Sequence, residues 1–99
     1  MMHEVGTSNY GVALAGAGTT TVVSAAANIS GLIIHRARVS APAGQASIVG
    51  IGPGLYIRCE SGMPAQALDP VVVPPGMAVT WTRIGASTHN CDINYELLP

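Results

Sequence analysis

The sequence predicts an all-β protein, an antiparallel β-sandwich with about seven or eight strands. Two observations predict this fold class. Short runs rich in Val, Ile, Thr and Tyr recur along the chain, and Gly, Pro, Ser and Asn separate them. No stretch of ten residues keeps the apolar spacing of a helix without a Gly, a Pro or a β-branched cluster. We therefore expect helix to make up less than about 10% of the chain.

The predicted strands follow one another between turn signals. They cover residues 10–14, 19–25, 29–39, 46–51, 55–60, 71–73, 77–84 and 90–98. The turns contain Gly44, Gly52-Pro53-Gly54 and Pro74-Pro75-Gly76, residue types that favour chain reversal and forbid helix. Residues 61–69 are expected to form a long loop. The short polar connection at 85–89 predicts a hairpin between the last two strands.

The 99 residues form one domain, because so short a chain has no room for a second core. Residues 19–99 are expected to form the sandwich. Residues 1–18 are expected to form a flexible N-terminal arm or an edge strand, because their Gly and Ala bury too little apolar area to offset the entropy of ordering. Such an arm would become ordered against a partner.

The charge content excludes several classes of function. Charged residues make up 9% of the chain, against about 25% in an average soluble domain. Four arginines and a net charge of −1 provide no phosphate-binding surface for nucleic acid. No apolar run is long enough for a membrane helix, and no export signal begins the sequence, so we expect a protein made in a cytoplasm. A surface so poor in charge predicts a homo-oligomer.

Alternation along the strands predicts which residues could contact another subunit. In strand 29–39, one face carries Leu32 and Ile34 and then changes to Arg36 and Arg38. We expect the apolar part of that face to contact the other sheet or a neighbouring subunit. The remaining candidate contacts are Tyr56, Arg58 and Trp81, although Trp81 is also a candidate for the core.

The sequence predicts no catalytic residue, cofactor or metal. Cys59 and Cys91 lie on the predicted core side of their strands, where they are expected to be buried thiols; a disulfide is the alternative if the two strands are neighbours. Adding His89 gives at most three metal ligands, whereas a structural zinc needs four. His35 is expected to be a hydrogen-bonded core or interface histidine, because no nucleophile or orienting carboxylate accompanies it in a known motif.

Three segments resemble a family of small jelly-roll-like virion proteins of tailed bacteriophages. They are TTTVVSAAANISGLIIHRARV, VPPGMAVTWTR and NCDINYELL, from Thr19 to the C-terminus. Asn28 and Gly31 hold the family's turn into an apolar strand, Pro75 and Gly76 precede the strand that carries Trp81, and Tyr95 lies in the terminal strand. The resemblance implies a capsid decoration protein, commonly trimeric, that binds a major capsid or other virion protein after assembly in the host cytoplasm. The alternative that it implies is a fibre or spike head that binds a cell-surface glycan.

Overall fold

Nine antiparallel strands arranged in two sheets make up the computed structural model, which describes residues 8–60 and 62–98 and contains no helix within them. The predicted fold class is confirmed, with nine strands where seven or eight were expected. The strands are β1 Ser8–Ala15, β2 Gly18–Val23, β3 Leu32–Ser40, β4 Ala46–Ile51, β5 Gly54–Glu60, β6 Ala65–Ala67, β7 Val71–Val73, β8 Val79–Ile84 and β9 Thr88–Leu97. The additional strand is β6, which lies inside the expected loop 61–69.

The strand order is that of a jelly roll. The first sheet has the order β1-β9-β3-β6, and β7 also pairs with β3; the second sheet has the order β2-β8-β4-β5. Because β6 and β7 pair with opposite ends of β3, they form one interrupted strand. When β6 and β7 are counted as one strand, each sheet has four strands, and strands from the start and the end of the chain alternate in the sheets. This order is the double Greek key arrangement of a jelly roll.

The inward faces of both sheets enclose one hydrophobic core. Trp81 on β8 is fully buried at its centre, with the ring of Tyr10 edge-on at 6.4 Å. The other buried hydrophobic residues in the core cluster are Val23, Leu32, Ile34, Ala37, Val39, Ala41, Val49, Cys59, Val73, Val79, Cys91 and Ile93. Much of this set is Val, Ile and Ala, since these side chains fit the narrow space between two sheets.

A β-bulge at His35 changes the inward-facing positions of β3. The pairing with β9 shifts register between Ile34 and Arg36, so that one extra residue stands on β3. Leu32 and Ile34 point inward before the bulge, and Ala37 and Val39 point inward after it. The prediction that Leu32 and Ile34 share a face with Arg36 and Arg38 is therefore wrong beyond His35. The bulge also explains why that face changes from apolar to charged in the sequence.

The connection between β8 and β9 is not a hairpin. The two strands lie in different sheets, so the link Gly85–Ser87 crosses from one sheet to the other. Gly85 has a φ of +115°, and a Cβ at this position would lie 2.3 Å from the Gln45 side chain. The Gln45 side chain accepts a hydrogen bond from the Ser87 amide at 3.0 Å. A short polar link is thus compatible with a change of sheet, which alternation along the chain could not reveal.

The N-terminal residues that the structure describes belong to the sandwich. Within the predicted arm, Ser8–Ala15 form β1, the edge strand of the first sheet, whereas the sandwich was expected to begin at residue 19. The expectation of a mobile arm covered residues 1–18; Ser8–Ala15 instead pair with β9 at every residue, and residues 1–7 lie outside the described residues.

Three loops meet at one end of the sandwich. These loops join β2 to β3, β4 to β5 and β7 to β8. They lie at the same end because the strand ends Val23, Ile51 and Val79 are paired in the second sheet, and the strand ends Leu32 and Val73 are paired in the first. The links from β1 to β2, β3 to β4, β5 to β6 and β8 to β9 lie at the opposite end.

Candidate functional site

Three of the five predicted contact residues lie inside the domain. Leu32, Ile34 and Trp81 are each 0% exposed, because they pack between the two sheets. A second subunit has no access to these side chains in the folded chain. The interpretation of Trp81 as a core residue is the one that the structure supports, and Arg83 covers one face of its ring at 4.8 Å.

Tyr56 and Arg58 lie on β5, at the edge of the second sheet. Tyr56 is the extra residue of a bulge opposite Val49 and Gly50, and it is half-buried. Its hydroxyl oxygen is buried and has no hydrogen-bond partner among the described residues. Burial and then the nearby carboxylate of Asp69 raise the pKa of this hydroxyl above its usual value of 10.0. Arg58 is exposed and forms an ion pair with Glu60 on the same strand.

Both cysteine thiols are buried and unlinked. Cys59 lies on β5 in the second sheet and Cys91 on β9 in the first, so the condition for the disulfide, neighbouring strands, is not met. Burial and then the neighbouring charge of Asp92 raise the pKa of the Cys91 thiol to about 12. A thiol held in its protonated form at neutral pH is a poor nucleophile and a poor metal ligand.

A buried pair, Ser47 and His89, was not identified from the sequence. Ser47 on β4 and His89 on β9 are both 0% exposed, and the serine Oγ lies 2.8 Å from the histidine Nδ1. The other imidazole nitrogen is 3.3 Å from the Gly85 carbonyl, and the serine Oγ is 3.2 Å from the Ser40 carbonyl. A substrate cannot reach this pair, which connects the two sheets through hydrogen bonds inside the core.

The remaining polar groups that could carry chemistry are spread over the surface. His35 is half-buried and lies 3.1 Å from the Glu96 carboxylate, so it is hydrogen-bonded as expected but is not a core residue. Within residues 8–60 and 62–98, no three His, Cys, Asp or Glu side chains are grouped so that they could bind a metal ion. In the same residues, no helix has the length and apolarity to cross a membrane.

Each loop at the three-loop end of the sandwich exposes apolar side chains. We call this end the apolar end and define it by the exposed side chains of Ile29, Pro53, Pro74, Pro75 and Met77. Residues 24–31, 52–53 and 74–78 contain no charged side chain. Ile29 is 81% exposed, an unusual position for a large aliphatic side chain within a group of other apolar residues.

Asn28 fixes the loops of the apolar end. Its side-chain amide is buried and donates to the carbonyls of Pro74 at 2.8 Å and Met77 at 2.9 Å. Its own backbone carbonyl accepts from the Gly76 amide at 2.8 Å. Gly31, at a φ of +97°, then turns the chain into β3, and a Cβ at this position would lie 3.2 Å from the Val73 carbonyl oxygen. This local structure is why the strand begins at Leu32 and not at Ile29.

An open depression lies on the outer face of the first sheet. Its volume is about 480 Å³, and small residues of β1 form one side of it. Polar side chains form the other side, and they come from β3 and β9. The lining includes Gly11, Ala13, Arg38, Ser40, Asn90 and Asp92.

Comparison of the chain with protein-family models and with curated protein sequences finds no match in either.

Proposed function

We propose that the chain is a non-enzymatic structural subunit that binds other protein subunits through its apolar end. The observation that carries this proposal is the cluster of exposed Ile29, Pro75 and Met77 on loops without any charge. Such a surface gains free energy when a partner removes it from water, at about 25 cal/mol for each Å² of apolar area. Charged side chains, which would need partners or solvation in a contact, are absent from these loops.

The rigidity of the apolar end supports the same function. The hydrogen bonds of Asn28 hold the loop before β3 against the loop before β8 in the free chain. A surface that is already ordered loses less conformational entropy on binding than a flexible loop does. The loops are therefore suited to a fixed contact in a repetitive assembly.

The assembly that we propose is a virus particle. The jelly-roll topology occurs in viral capsid proteins, although it also occurs in lectins and in enzymes. The specific role, a decoration protein that stabilises a bacteriophage head by binding its major capsid protein, rests on the resemblance of the three sequence segments. The low charge of the whole chain supports a subunit whose surface is largely covered in its working state.

A binding experiment with purified heads tests this function. Heads of the parent phage that lack the chain are mixed with wild-type protein, with Ile29→Lys or with Leu68→Lys, and are then sedimented. Leu68 is the matched control because it is a large exposed aliphatic residue, 67% exposed, outside the apolar end. We expect Ile29→Lys to bind about tenfold more weakly and Leu68→Lys to bind normally. Equal binding of both variants, or no binding of the wild type, would refute the proposal.

A second candidate function is glycan binding at the depression on the first sheet. Arg38, Ser40, Asn90 and Asp92 provide hydrogen-bond donors and acceptors of the kind that sugar hydroxyls require. Trp81 cannot stack on a sugar, because it is buried in the core. A glycan array would favour this function if the wild type bound one glycan class and Asp92→Ala did not.

A further inference from the structure

The edge strand β1 differs from the edge strands on the opposite side of the sandwich in how it is protected from pairing. On that opposite side, β5 carries the Arg58–Glu60 ion pair and the bulge at Tyr56. On the same side, β6 and β7 have three residues each, with Pro70 between them. Charge, bulges, proline and short length are the features by which natural sheet edges avoid pairing with other chains.

The edge strand β1 has none of these protective features. It has eight residues, Ser8–Ala15, and an unbroken antiparallel ladder to β9. It contains neither a charged residue nor a proline. Among the described residues it pairs with β9 alone, so alternate residues direct their amide and carbonyl groups away from the sheet. These groups are available to a further strand.

The inner face of β1 leaves apolar side chains partly uncovered. Tyr10, Val12 and Leu14 pack against the core but remain half-exposed, because no strand of residues 8–60 or 62–98 lies beyond β1 to cover them. The outer face carries small or neutral residues, Asn9, Gly11, Ala13 and Ala15, all exposed. A strand that added to this edge would therefore bury apolar area on the inner face and meet no bulky side chain on the outer face.

We propose that the β1 edge binds the β1 edge of a second copy of this chain, in antiparallel orientation across a two-fold axis. A two-fold axis perpendicular to the sheet keeps inner faces on the same side, so each copy's Tyr10, Val12 and Leu14 would cover those of the other. A symmetric contact places the same residues of the two copies near one another, so that a charged edge would repel its copy. Residues 8–34 carry no charge. The edge is complementary to itself in hydrogen bonding, in apolar pattern and in charge.

This contact has a definite stoichiometry. Two edges that pair antiparallel satisfy each other, so the assembly closes at a dimer and joins the two first sheets into one. The trimer implied by the resemblance would need a different contact. The second copy is thus one partner of the proposed structural subunit. Because the dimer forms in the free protein, it can be tested without particles.

The mass of the protein in solution and the mixing of oppositely charged variants test the inference. Light scattering during gel filtration at about 100 µM should give twice the chain mass of 10.0 kDa for the wild type. Ala13→Lys places a charge on the exposed outer face of β1, and like charges from two copies should weaken the dimer by about tenfold or more. Gln66→Lys, which adds the same charge on β6 at the protected edge, should remain dimeric.

A mixture of Ala13→Lys and Ala13→Glu should restore the dimer, because opposite charges then face each other only if the two β1 strands meet. Circular dichroism should show that all variants keep the wild-type fold. A monomeric or trimeric wild type, an Ala13→Lys variant that stays dimeric, or a mixture that stays monomeric would overturn the inference. None of these results would affect the binding of heads through Ile29, so the two proposals fail separately.

Discussion

The imidazole of His89 contacts a serine hydroxyl and a backbone carbonyl inside the core. The carbonyls of Gly85 and Ser40 only accept hydrogen bonds, and the Ser47 hydroxyl supplies a single proton. Three contacts join His89, Ser47 and these two carbonyls. The pair is therefore a polar structural element within an otherwise apolar core.

Removing the His89 side chain is expected to destabilise the fold strongly. His89→Ala leaves a cavity and removes the hydrogen bonds of the imidazole to Ser47 and to the Gly85 carbonyl, and we expect a loss of about 2–4 kcal/mol in the free energy of unfolding. His35→Ala is the control, because it removes the same side chain from a half-buried site and should cost less than about 1 kcal/mol. Urea denaturation of both variants measures the difference. Similar losses in the two variants would show that the buried pair contributes no special stability.

The sequence predicted on which face of a strand a residue lies, but not which residue of the other sheet it contacts. The period-two pattern of β9 correctly placed Cys91 and Ile93 in the core, because alternation is a local property of a strand. It also placed His89 on that face, two residues before Cys91. The Ser47 partner was not predictable, since it lies 42 residues away on the facing sheet. Contacts between sheets depend on how the sheets stack, which no local pattern encodes.

At the level of elements, the loop before β3 depends on Asn28. Asn28→Ala removes two donated hydrogen bonds, to the carbonyls of Pro74 and Met77, and we expect it to cost about 2–3 kcal/mol of stability. Hydrogen exchange should accelerate at the Gly76 amide, whose acceptor is the Asn28 carbonyl. Asn90→Ala, at an exposed position on β9, is the control and should change neither quantity. Unchanged exchange at Gly76 in Asn28→Ala would contradict the role of this residue.

The sequence predicted elements well where turn residues bound them. Strands 46–51 and 71–73 were predicted with the bounds that the structure has, because Gly and Pro interrupt the chain at their ends. The bulge at His35 and the change of sheet after Ile84 were missed. Both depend on the neighbouring strand: a bulge is defined by the register with β9, and the sheet to which a strand belongs is defined by its partners.

Across the whole molecule, the positions of the charged residues indicate contact surfaces as much as their small number does. Of the four arginines, Arg36 and Arg38 lie on the outer face of the first sheet and Arg58 lies on β5, whereas Arg83 is held by the Gly16 carbonyl and the Thr20 hydroxyl. The apolar end and the β1 edge have none. A monomer that must remain soluble alone would be expected to spread its charges more evenly. We therefore assign both uncharged regions to contacts with other subunits.

Imaging of intact particles by electron cryomicroscopy tests this account most directly. We expect density for a jelly roll of this topology on the phage head, with the loops at residues 24–31 and 74–78 against another protein subunit. In that density, the exposed aliphatic side chain of Ile29 should be covered. Particles that lack the chain, or that carry it with the apolar end facing solvent, would contradict the account.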